Sequence, residues 1–288
     1  MRVALLGFGL IGGSIAHALR AAGPDWSVAA WSPSGEGPRS AASDGVIDTS
    51  AASMEAALVG AEIVVLAAPP IACLALLDSL GGPLRDSIEP SAVVTDVAST
   101  KAQIVAHAAA SGVPFVGGHP MAGRESTGYA SASSDLFRNR PWVIVSDDAD
   151  QRARVETMAL ACGAVPLELT AAVHDRAVAA ISHLPLVLSV ALVEAVGGGA
   201  GEPVPADWQL NARLAAGGWQ STTRLARGDP EMGAGIMATN AAPLADQLRR
   251  LRLVVDDWLD ELEKPGGPDA GKVAARLRSA RARLDESP

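Results

Sequence analysis

A six-residue segment near the N-terminus constrains the possible folds of this chain more than any other feature. The segment Gly7-Phe8-Gly9-Leu10-Ile11-Gly12 directly follows an apolar run at residues 3–6 and opens a helical pattern at residues 14–22. Strand, glycine-rich turn and helix in this order form the context of the G-x-G-x-x-G dinucleotide fingerprint. The first glycine permits the tight turn, the second lets the backbone approach a pyrophosphate, and the third allows helix and strand to pack closely. The segment therefore predicts a dinucleotide site at a helix N-terminus.

Short, almost uncharged β-type runs alternate with helical patterns from the N-terminus to about residue 168. The runs lie at residues 3–6, 27–31, 63–66, 92–95, 115–116, 142–145 and 164–167. Such alternation is typical of a mainly parallel sheet with helices on both faces. We therefore predict an α/β, Rossmann-type doubly wound dinucleotide-binding domain over residues 1–168.

Beyond Thr170 the pattern changes to long Ala-, Leu- and Val-rich segments with helical spacing. These segments lie at residues 171–196, 207–216, 243–263 and 269–284, and none reads as a strand. We expect an all-helical domain over residues 169–288. Pro185 should kink the first helix near Ser182 and His183. The spacing of nine residues from His174 to His183 predicts that these two histidines point to different faces, so that at most one lines any single pocket.

Composition excludes several classes of protein. A content of 49% hydrophobic and 19% charged residues is typical of a globular chain, and a net charge of −9 argues against a general nucleic-acid binder. Cys73 and Cys162 form no C-x-x-C motif, so we expect neither a metal site nor a disulfide. The apolar run at 63–77 contains two prolines and is shorter than the ~20 residues of a membrane span. With no clear signal peptide, we expect a cytoplasmic protein without a membrane partner.

The end of the second predicted strand bears on the choice of cofactor. It reads Trp31-Ser32-Pro33-Ser34, without the carboxylate that NAD-binding proteins usually place against the ribose. Ser32, Ser34 and Arg39 could accommodate a 2′-phosphate, which favours NADP, whereas Glu36 or a backbone group could satisfy the ribose of NAD. The candidate cofactor contacts are Gly7, Gly9, Leu10, Ile11, Gly12, Ser32, Ala68 and Pro69.

Two polar residues follow predicted strands and should lie at the carboxyl edge of the sheet, where ligands bind in such folds. Ser99 could orient a substrate or cap the helix that follows it. His119 stands in a glycine-framed loop after the run at 115–116, and an imidazole with a pKa near ~6.5 suits the proton acceptor of an alcohol oxidation. Lys101, in the same segment as Ser99, can be interpreted equally well as a functional residue or as a solvated surface cation. Arg224, after the Gly217-Gly218 break, could bind a carboxylate bidentately.

Several segments, taken together, resemble the prephenate/arogenate dehydrogenase family of tyrosine biosynthesis. They follow the order of that family and span nearly the whole chain. The matching segments are Gly7-Phe8-Gly9-Leu10-Ile11-Gly12-Gly13-Ser14, Asp96-Val97-Ala98-Ser99-Thr100-Lys101, Gly118-His119-Pro120-Met121-Ala122-Gly123-Arg124-Glu125, His174-Asp175, Ser182-His183-Leu184-Pro185 and Thr223-Arg224-Leu225-Ala226.

The resemblance implies an oxidative decarboxylation with hydride transfer to NAD or NADP. A hydride leaves C4 of a cyclohexadienol, and loss of the ring carboxylate as CO2 makes the ring aromatic. The resemblance makes His119 and Ser99 the catalytic residues, with His119 deprotonating the 4-hydroxyl and Ser99 positioning it. It also implies a homodimer through the helical domain and places Asn240 in the helical core. The substrate-binding residues that it implies are Arg224, Ser182, His183 and Glu125.

Departures from the family pattern leave the substrate open. Leu186 stands where many prephenate-using members have histidine, and Gln220 and Ser221 replace a basic residue and an aspartate, which favours arogenate over prephenate. A 4-amino-4-deoxyprephenate-type substrate is a further alternative. A β-hydroxyacid dehydrogenase is less consistent because residues 170–263 contain no lysine, and a non-catalytic nucleotide-binding protein would not need Ser99, His119 and Arg224. We expect no appended regulatory domain, since the sequence ends at Pro288.

Overall fold

The computed structural model describes residues 1–124 and 126–286. Its core is an eight-stranded sheet with the order β3-β2-β1-β4-β5-β6-β7-β8. All neighbouring strands are parallel except β6 and β7, which are antiparallel. The strands are β1 (Arg2–Leu6), β2 (Ser27–Trp31), β3 (Thr49–Ser50), β4 (Ile63–Leu66), β5 (Val93–Asp96), β6 (Phe115–Pro120), β7 (Pro141–Val145) and β8 (Val165–Glu168). The structure confirms the predicted doubly wound, mainly parallel sheet.

Helices connect the strands and make up the part of the chain that follows β8. The helices between strands are α1 (Leu10–Ala22), α2 (Glu36–Ser43), α3 (Met54–Leu58), α4 (Pro70–Gly81), α5 (Ala102–Ala110) and α6 (Ala149–Ala161). Those after β8 are α7 (Ala171–Val178), α8 (Leu184–Gly197), α9 (Trp208–Leu214), α10 (Gly217–Thr222), α11 (Pro230–Thr239), α12 (Ala241–Leu262) and α13 (Ala270–Asp285), with a π-helical turn at Ala179–His183 and a 3₁₀ turn at Arg224–Arg227.

Both faces of the sheet are buried, which explains why its strands carry so little charge. In β1, Val3 and Leu5 pack into a core on one face, whereas Ala4 and Leu6 pack into a core on the other. All four side chains are fully buried, as expected for a parallel strand covered on both faces. Burial at this level contributes roughly 1.5–3 kcal/mol for each large apolar side chain.

The register of the central strands defines one functional edge. Leu6 pairs with Trp31 on one side and with Leu66 on the other, and Leu66 pairs with Asp96. The carboxyl ends of β2, β1, β4 and β5 therefore meet in one line. Ligands of open parallel sheets bind outside this edge.

The structure differs from the sequence prediction in several elements. It adds β3, which has only two residues and so leaves no readable alternation. It also adds α10 and α11, whose glycines obscure the helical pattern in the sequence. Asp229 caps α11 by accepting hydrogen bonds from the Glu231 and Met232 backbone N–H groups. The predicted domain boundary at residue 168 stays a prediction.

The chain forms two compact units, Met1–Leu244 and a second that begins at Ala245. In the second unit, the Arg276 guanidinium lies 4.0 Å from the centre of the Trp258 ring. Asp269 caps α13 by accepting from the Gly271 and Lys272 N–H groups. Leu253 and Leu259 of α12 and Leu277 of α13 are exposed.

The stretch Ala171–Gly197 is long and apolar enough to cross a membrane, with a mean hydropathy of 1.9. This criterion also selects core helices of globular proteins. The stretch includes the buried polar residues His174, Asp175 and His183, which bond to other parts of the first unit. Its apolar composition is therefore weak evidence for a membrane location.

Candidate active site

A cavity of about 760 Å³ lies at the carboxyl edge of the sheet and is closed on its other side by helical residues. Gly9, Leu10, Ile11, Ala68 and Pro69 line it from the nucleotide-binding edge. The other residues that line it and bear on its chemistry are Ser99, His119, Arg124, Ser182, Leu186, Arg224, Asp229 and Met232. The cavity thus brings the glycine-rich turn together with the predicted chemical groups.

The glycine-rich turn has the geometry that a bound pyrophosphate requires. Gly7 has φ +98°, and a Cβ there would lie 2.3 Å from the Ala67 carbonyl oxygen. A Cβ on Gly12 would lie 2.8 Å from the Gly7 carbonyl oxygen, whereas one on Gly9 would meet nothing within 4 Å. In α1, all of whose residues the structure describes, no side chain caps the N-terminus and the first turn holds no acidic residue. The residues present therefore fit a dinucleotide phosphate at this helix end.

Ser32 lies beside the nucleotide-binding edge but does not line the cavity. Its Oγ accepts from the Gly35 N–H at 3.2 Å and so helps to close the turn after β2. The Arg39 guanidinium donates to the Ser34 carbonyl at 3.2 Å. The structure therefore holds an arginine and two serines at the end of β2, where the ribose of a dinucleotide lies in folds of this kind.

His119 is a strand residue and not the loop residue that the sequence predicts. β6 continues to Pro120, and His119 pairs with Val143 of the antiparallel β7. Gly118 makes this extension possible, because a Cβ there would lie 2.4 Å from the Asp96 carbonyl oxygen. The Gly118 N–H donates to Asp96 Oδ1 at 2.9 Å. The strand therefore holds His119 more rigidly than a loop would.

The His119 imidazole contacts another histidine. Its Nδ1 lies 2.8 Å from Nε2 of His174, and the two rings meet edge to face with centroids 5.1 Å apart. Burial lowers the pKa of His119 well below its usual range, and nearby positive charge on His174, Lys101 and His183 would lower it further. His119 is therefore neutral, and able to accept a proton, at neutral pH.

Lys101 is completely buried, so its interpretation as a surface cation is wrong. Its ammonium group forms an ion pair with the equally buried Asp96. Burial raises the pKa of Asp96, while Lys101 and the N–H groups of Gly118 and Ala98 oppose that rise. A charge buried without a partner would be very costly, which explains why the pair occurs together. The pair ties the end of β5 to the start of α5 and to the backbone just before His119.

Ser99 lines the cavity together with His119, but it does not cap the following helix. α5 begins at Ala102, and its first N–H groups are satisfied by Asp175: Lys101 N–H and Ala102 N–H each donate to this carboxylate at 2.8 Å. The capping alternative for Ser99 is therefore wrong. A residue more than 70 positions away supplies the cap.

The π-helical turn at Ala179–His183 changes the predicted relation of His174 to His183. In a regular helix their nine-residue spacing places them roughly 180° apart, but a π turn absorbs an extra residue and reduces this by about 100°. Both imidazoles consequently lie close enough to His119 to affect its pKa. The irregularity falls just before Pro185, as the sequence predicts. Neither histidine lines the cavity, so the limit of one per pocket is not exceeded, and the prediction of different faces stays a prediction.

His183 is buried and bonds to the helical core. Its Nδ1 accepts from the Asn240 side-chain amide at 3.1 Å, and the same amide donates to the Asp175 carbonyl at 2.8 Å. Burial, assisted by His174, lowers the pKa of His183 to about 4, although Asp175 and the Ser99 backbone oppose the shift. Its predicted contact with substrate finds no support in this geometry. Ser182, its neighbour, does line the cavity.

Arg224 lines the cavity from the 3₁₀ turn at Arg224–Arg227. The buried Ser189 of α8 supports this turn on both sides: its Oγ donates to the Thr222 carbonyl at 2.9 Å and accepts from the Ala226 N–H at 3.1 Å. The turn therefore has a defined position against α8. A guanidinium held in this way suits recognition of a carboxylate.

Sequence reasoning missed three features of the site. Arg124 lines the cavity as a second guanidinium, and its position directly after Gly123 in the histidine motif was the available signal. Asp175 and His174 form the hydrogen-bonded support behind His119, and Ser189 supports Arg224. Glu125, which the resemblance assigns to the substrate, lies outside the described residues. Among the residues described, no group of three or more His, Cys, Asp or Glu side chains could hold a metal ion.

Comparisons with known proteins match two consecutive parts of the chain. Residues 15–167 match the family model "Prephenate dehydrogenase, nucleotide-binding domain", and residues 170–264 match "Prephenate dehydrogenase, dimerization domain". Prephenate dehydrogenase of Bacillus subtilis is 31% identical over 91% of this chain and 68% of its own length. That of Lactococcus lactis is 30% identical over 89% and 70%. The crystal structure of Synechocystis arogenate dehydrogenase superposes with a TM-score of 0.77 at 30% identity, covering 99% of this chain and 100% of that one.

Proposed function

The chain belongs to the prephenate dehydrogenase family, and we propose that it oxidatively decarboxylates prephenate or arogenate. The observation that carries the proposal is a single cavity lined by the glycine-rich turn, His119, Ser99 and Arg224. The products are 4-hydroxyphenylpyruvate from prephenate or tyrosine from arogenate, with CO2 and the reduced cofactor.

His119 is the proton acceptor of the reaction. A dinucleotide held at the glycine-rich turn would supply the hydride acceptor for C4 of the ring. His119 takes the proton of the 4-hydroxyl as the carbon is oxidised, which its neutral state allows. The electron pair of the bond to the departing CO2 then makes the ring aromatic. The resulting phenolate takes the proton back from His119, so no proton is gained or lost overall.

Arg224 and Ser99 bind and orient the substrate. Arg224 binds a carboxylate. Ser99 lines the same cavity as His119, and its hydroxyl hydrogen-bonds to the 4-hydroxyl group of the substrate. Arg124 gives the wall a second guanidinium, which suits a substrate with two carboxylates. Gln220 and Ser221 do not line the cavity. The electrostatic argument that these two residues favour arogenate is therefore weaker than the sequence indicates. Both prephenate and arogenate remain candidate substrates.

The end of β2 favours NADP over NAD. Arg39 and Ser32 lie where an acidic residue would contact the ribose of NAD, and a guanidinium there attracts a 2′-phosphate. We further propose that the protein is a cytoplasmic homodimer, on the basis of its match to the dimerization-domain model and its exposed apolar side chains on α12 and α13.

The decisive experiment supplies purified protein with prephenate or arogenate, each with NAD or NADP, and follows the absorbance of the reduced nicotinamide. We expect turnover with at least one substrate and a higher kcat/KM with NADP, an advantage that Arg39→Ala should reduce. His119→Asn should lower kcat by about 10²–10⁴-fold, the usual contribution of a general base, without weakening cofactor binding.

His107→Asn provides the matched control, because His107 lies on α5 and pairs with Asp78 at the surface. It should leave kcat unchanged. Absence of turnover with all four combinations, or full activity of His119→Asn, would refute the proposed function.

A further inference from the structure

A continuous hydrogen-bonded chain of three side chains leads from behind the cavity to His119 on its wall. Asp175 Oδ1 lies 2.7 Å from Nδ1 of His174, and Nε2 of His174 lies 2.8 Å from Nδ1 of His119. Asp175 and His174 are both buried, and neither lines the cavity. His119 stands at the end of this chain, and Nε2 is its one ring nitrogen that His174 does not hold.

The protonation of this chain follows from its first member. The Asp175 carboxylate also accepts from the N–H groups of Lys101 and Ala102. Burial alone would raise its pKa, but the hydrogen bonds from His174 and these two N–H groups lower it, so the carboxylate is ionised. An ionised carboxylate only accepts hydrogen bonds. The proton between the two residues must therefore be on Nδ1 of His174.

The same logic determines the tautomer of His119. A neutral His174 with its proton on Nδ1 presents an unprotonated Nε2, which can only accept a hydrogen bond. His119 must then donate from Nδ1, which leaves the lone pair on its Nε2. We propose that Asp175 and His174 are positioning residues that fix His119 as the Nδ1–H tautomer, with Nε2 ready to accept the substrate hydroxyl proton. The proposal extends the function assigned to His119 above.

The arrangement also explains why two residues act together. Without Asp175, His174 could carry its proton on Nε2 and force His119 into the opposite tautomer, which cannot accept a proton through Nε2. With Asp175 in place, the Nδ1–H donor is held by a carboxylate, and the imidazolium that forms during oxidation is stabilised through the chain. The other ionisable groups around His119 are Lys101, His183 and Asp96. His183 is not a member of the chain, because its Nδ1 accepts from Asn240.

Substitutions of His174 separate this role from a packing role. His174→Leu keeps an apolar side chain in the site but removes the acceptor for His119 Nδ1–H. His174→Gln restores an acceptor oxygen, and Asp175 keeps its bonds to the start of α5 in both variants. We expect His174→Leu to lower kcat by at least ~10-fold, and by no more than the ~10²–10⁴-fold that general base catalysis contributes in full, with little change in KM. His174→Gln should recover most of that loss, and the surface variant His107→Asn should lose nothing.

Nitrogen NMR tests the tautomer directly and without substrate. The chain has only five histidines, so ¹⁵N-histidine labelling with single substitutions assigns each ring. We expect His119 to show a protonated Nδ1 and an unprotonated Nε2 at pH 7.5, and His174→Leu to mix or reverse this pattern. A protonated Nε2 on His119 in the unsubstituted protein would overturn the proposal. So would equal losses of kcat in His174→Leu and His174→Gln when both fold normally by circular dichroism.

The two proposals fail in different ways. If the protein turned over none of the four substrate and cofactor combinations, the proposed reaction would fall, while the tautomer would still be visible by NMR. If the protein were active but His119 carried its proton on Nε2, the proposed reaction would be supported and the positioning role of Asp175 and His174 would be refuted.

Discussion

His119 is held in its neutral form by its surroundings, and this determines how activity should depend on pH. Burial lowers the pKa of His119 first, and the nearby His174, Lys101 and His183 lower it further. A base with a lowered pKa is protonated only at more acidic pH. We expect kcat/KM to be flat from about pH 8 to the usual histidine value of ~6.5 and to fall only below it. Initial rates at saturating cofactor across this range measure the profile; an acid limb centred at or above ~6.5 would contradict it.

Asp175 does not disturb this profile within the same range. Its hydrogen bonds lower its pKa below the ordinary value for aspartate, against the effect of burial, so it stays ionised throughout the measured range. At the residue scale the site therefore depends on two groups whose charge states are set by burial and by partners that are mostly far away in sequence. The structure shows which residues these partners are, whereas the amino-acid sequence around His119 and Asp175 does not.

At the scale of elements, periodicity predicts the fold better than it predicts the site. Runs such as 3–6 and 63–66 are buried on both faces, so their composition alone identifies them as strands. The π-helical turn before Pro185 is signalled only as a kink. The extension of β6 to His119 depends on β7 and on the space beside Gly118, which no local pattern records. Interactions between distant residues, such as Asp175 with the start of α5, decide these features.

Ser189 allows a test of one such interaction between elements. Its hydroxyl bonds to both Thr222 and Ala226, on either side of the turn that carries Arg224. Ser189→Ala removes both hydrogen bonds from this part-buried turn, at a cost of roughly 0.5–1.5 kcal/mol for each bond. We expect KM for the substrate to rise by about 10-fold, because Arg224 loses its defined position, while kcat changes less.

Steady-state kinetics with saturating cofactor measure both constants. Ser79→Ala is the matched control, because the Ser79 hydroxyl bonds only to the Ala75 carbonyl of its own helix on an exposed face. An unchanged KM in Ser189→Ala, or an equal rise in Ser79→Ala, would show that the turn around Arg224 does not depend on Ser189.

At the scale of the whole molecule, the exposed apolar side chains of the helical part predict self-association. Leu253 of α12 is 62% exposed, and Leu259 and Leu277 are also exposed. Leaving each such side chain in water costs roughly 1.5–3 kcal/mol relative to burying it. In addition, α12 lies largely within the segment that matches the dimerization-domain model. We expect a particle of about twice the 29.3 kDa chain mass by light scattering. Leu253→Glu should weaken the dimer at least ~10-fold, because it places a charge in an apolar interface.

The control for this prediction is Val59→Glu. Val59 is 66% exposed but lies beside α3, in the nucleotide-binding part of the chain. The same change of an exposed apolar residue to glutamate should leave the particle mass unchanged there. Light scattering over a hundredfold range of protein concentration gives the dissociation constant of each variant. Equal dimer stability of Leu253→Glu and Val59→Glu would exclude Leu253 from the interface, and a monomeric unsubstituted protein would refute the homodimer.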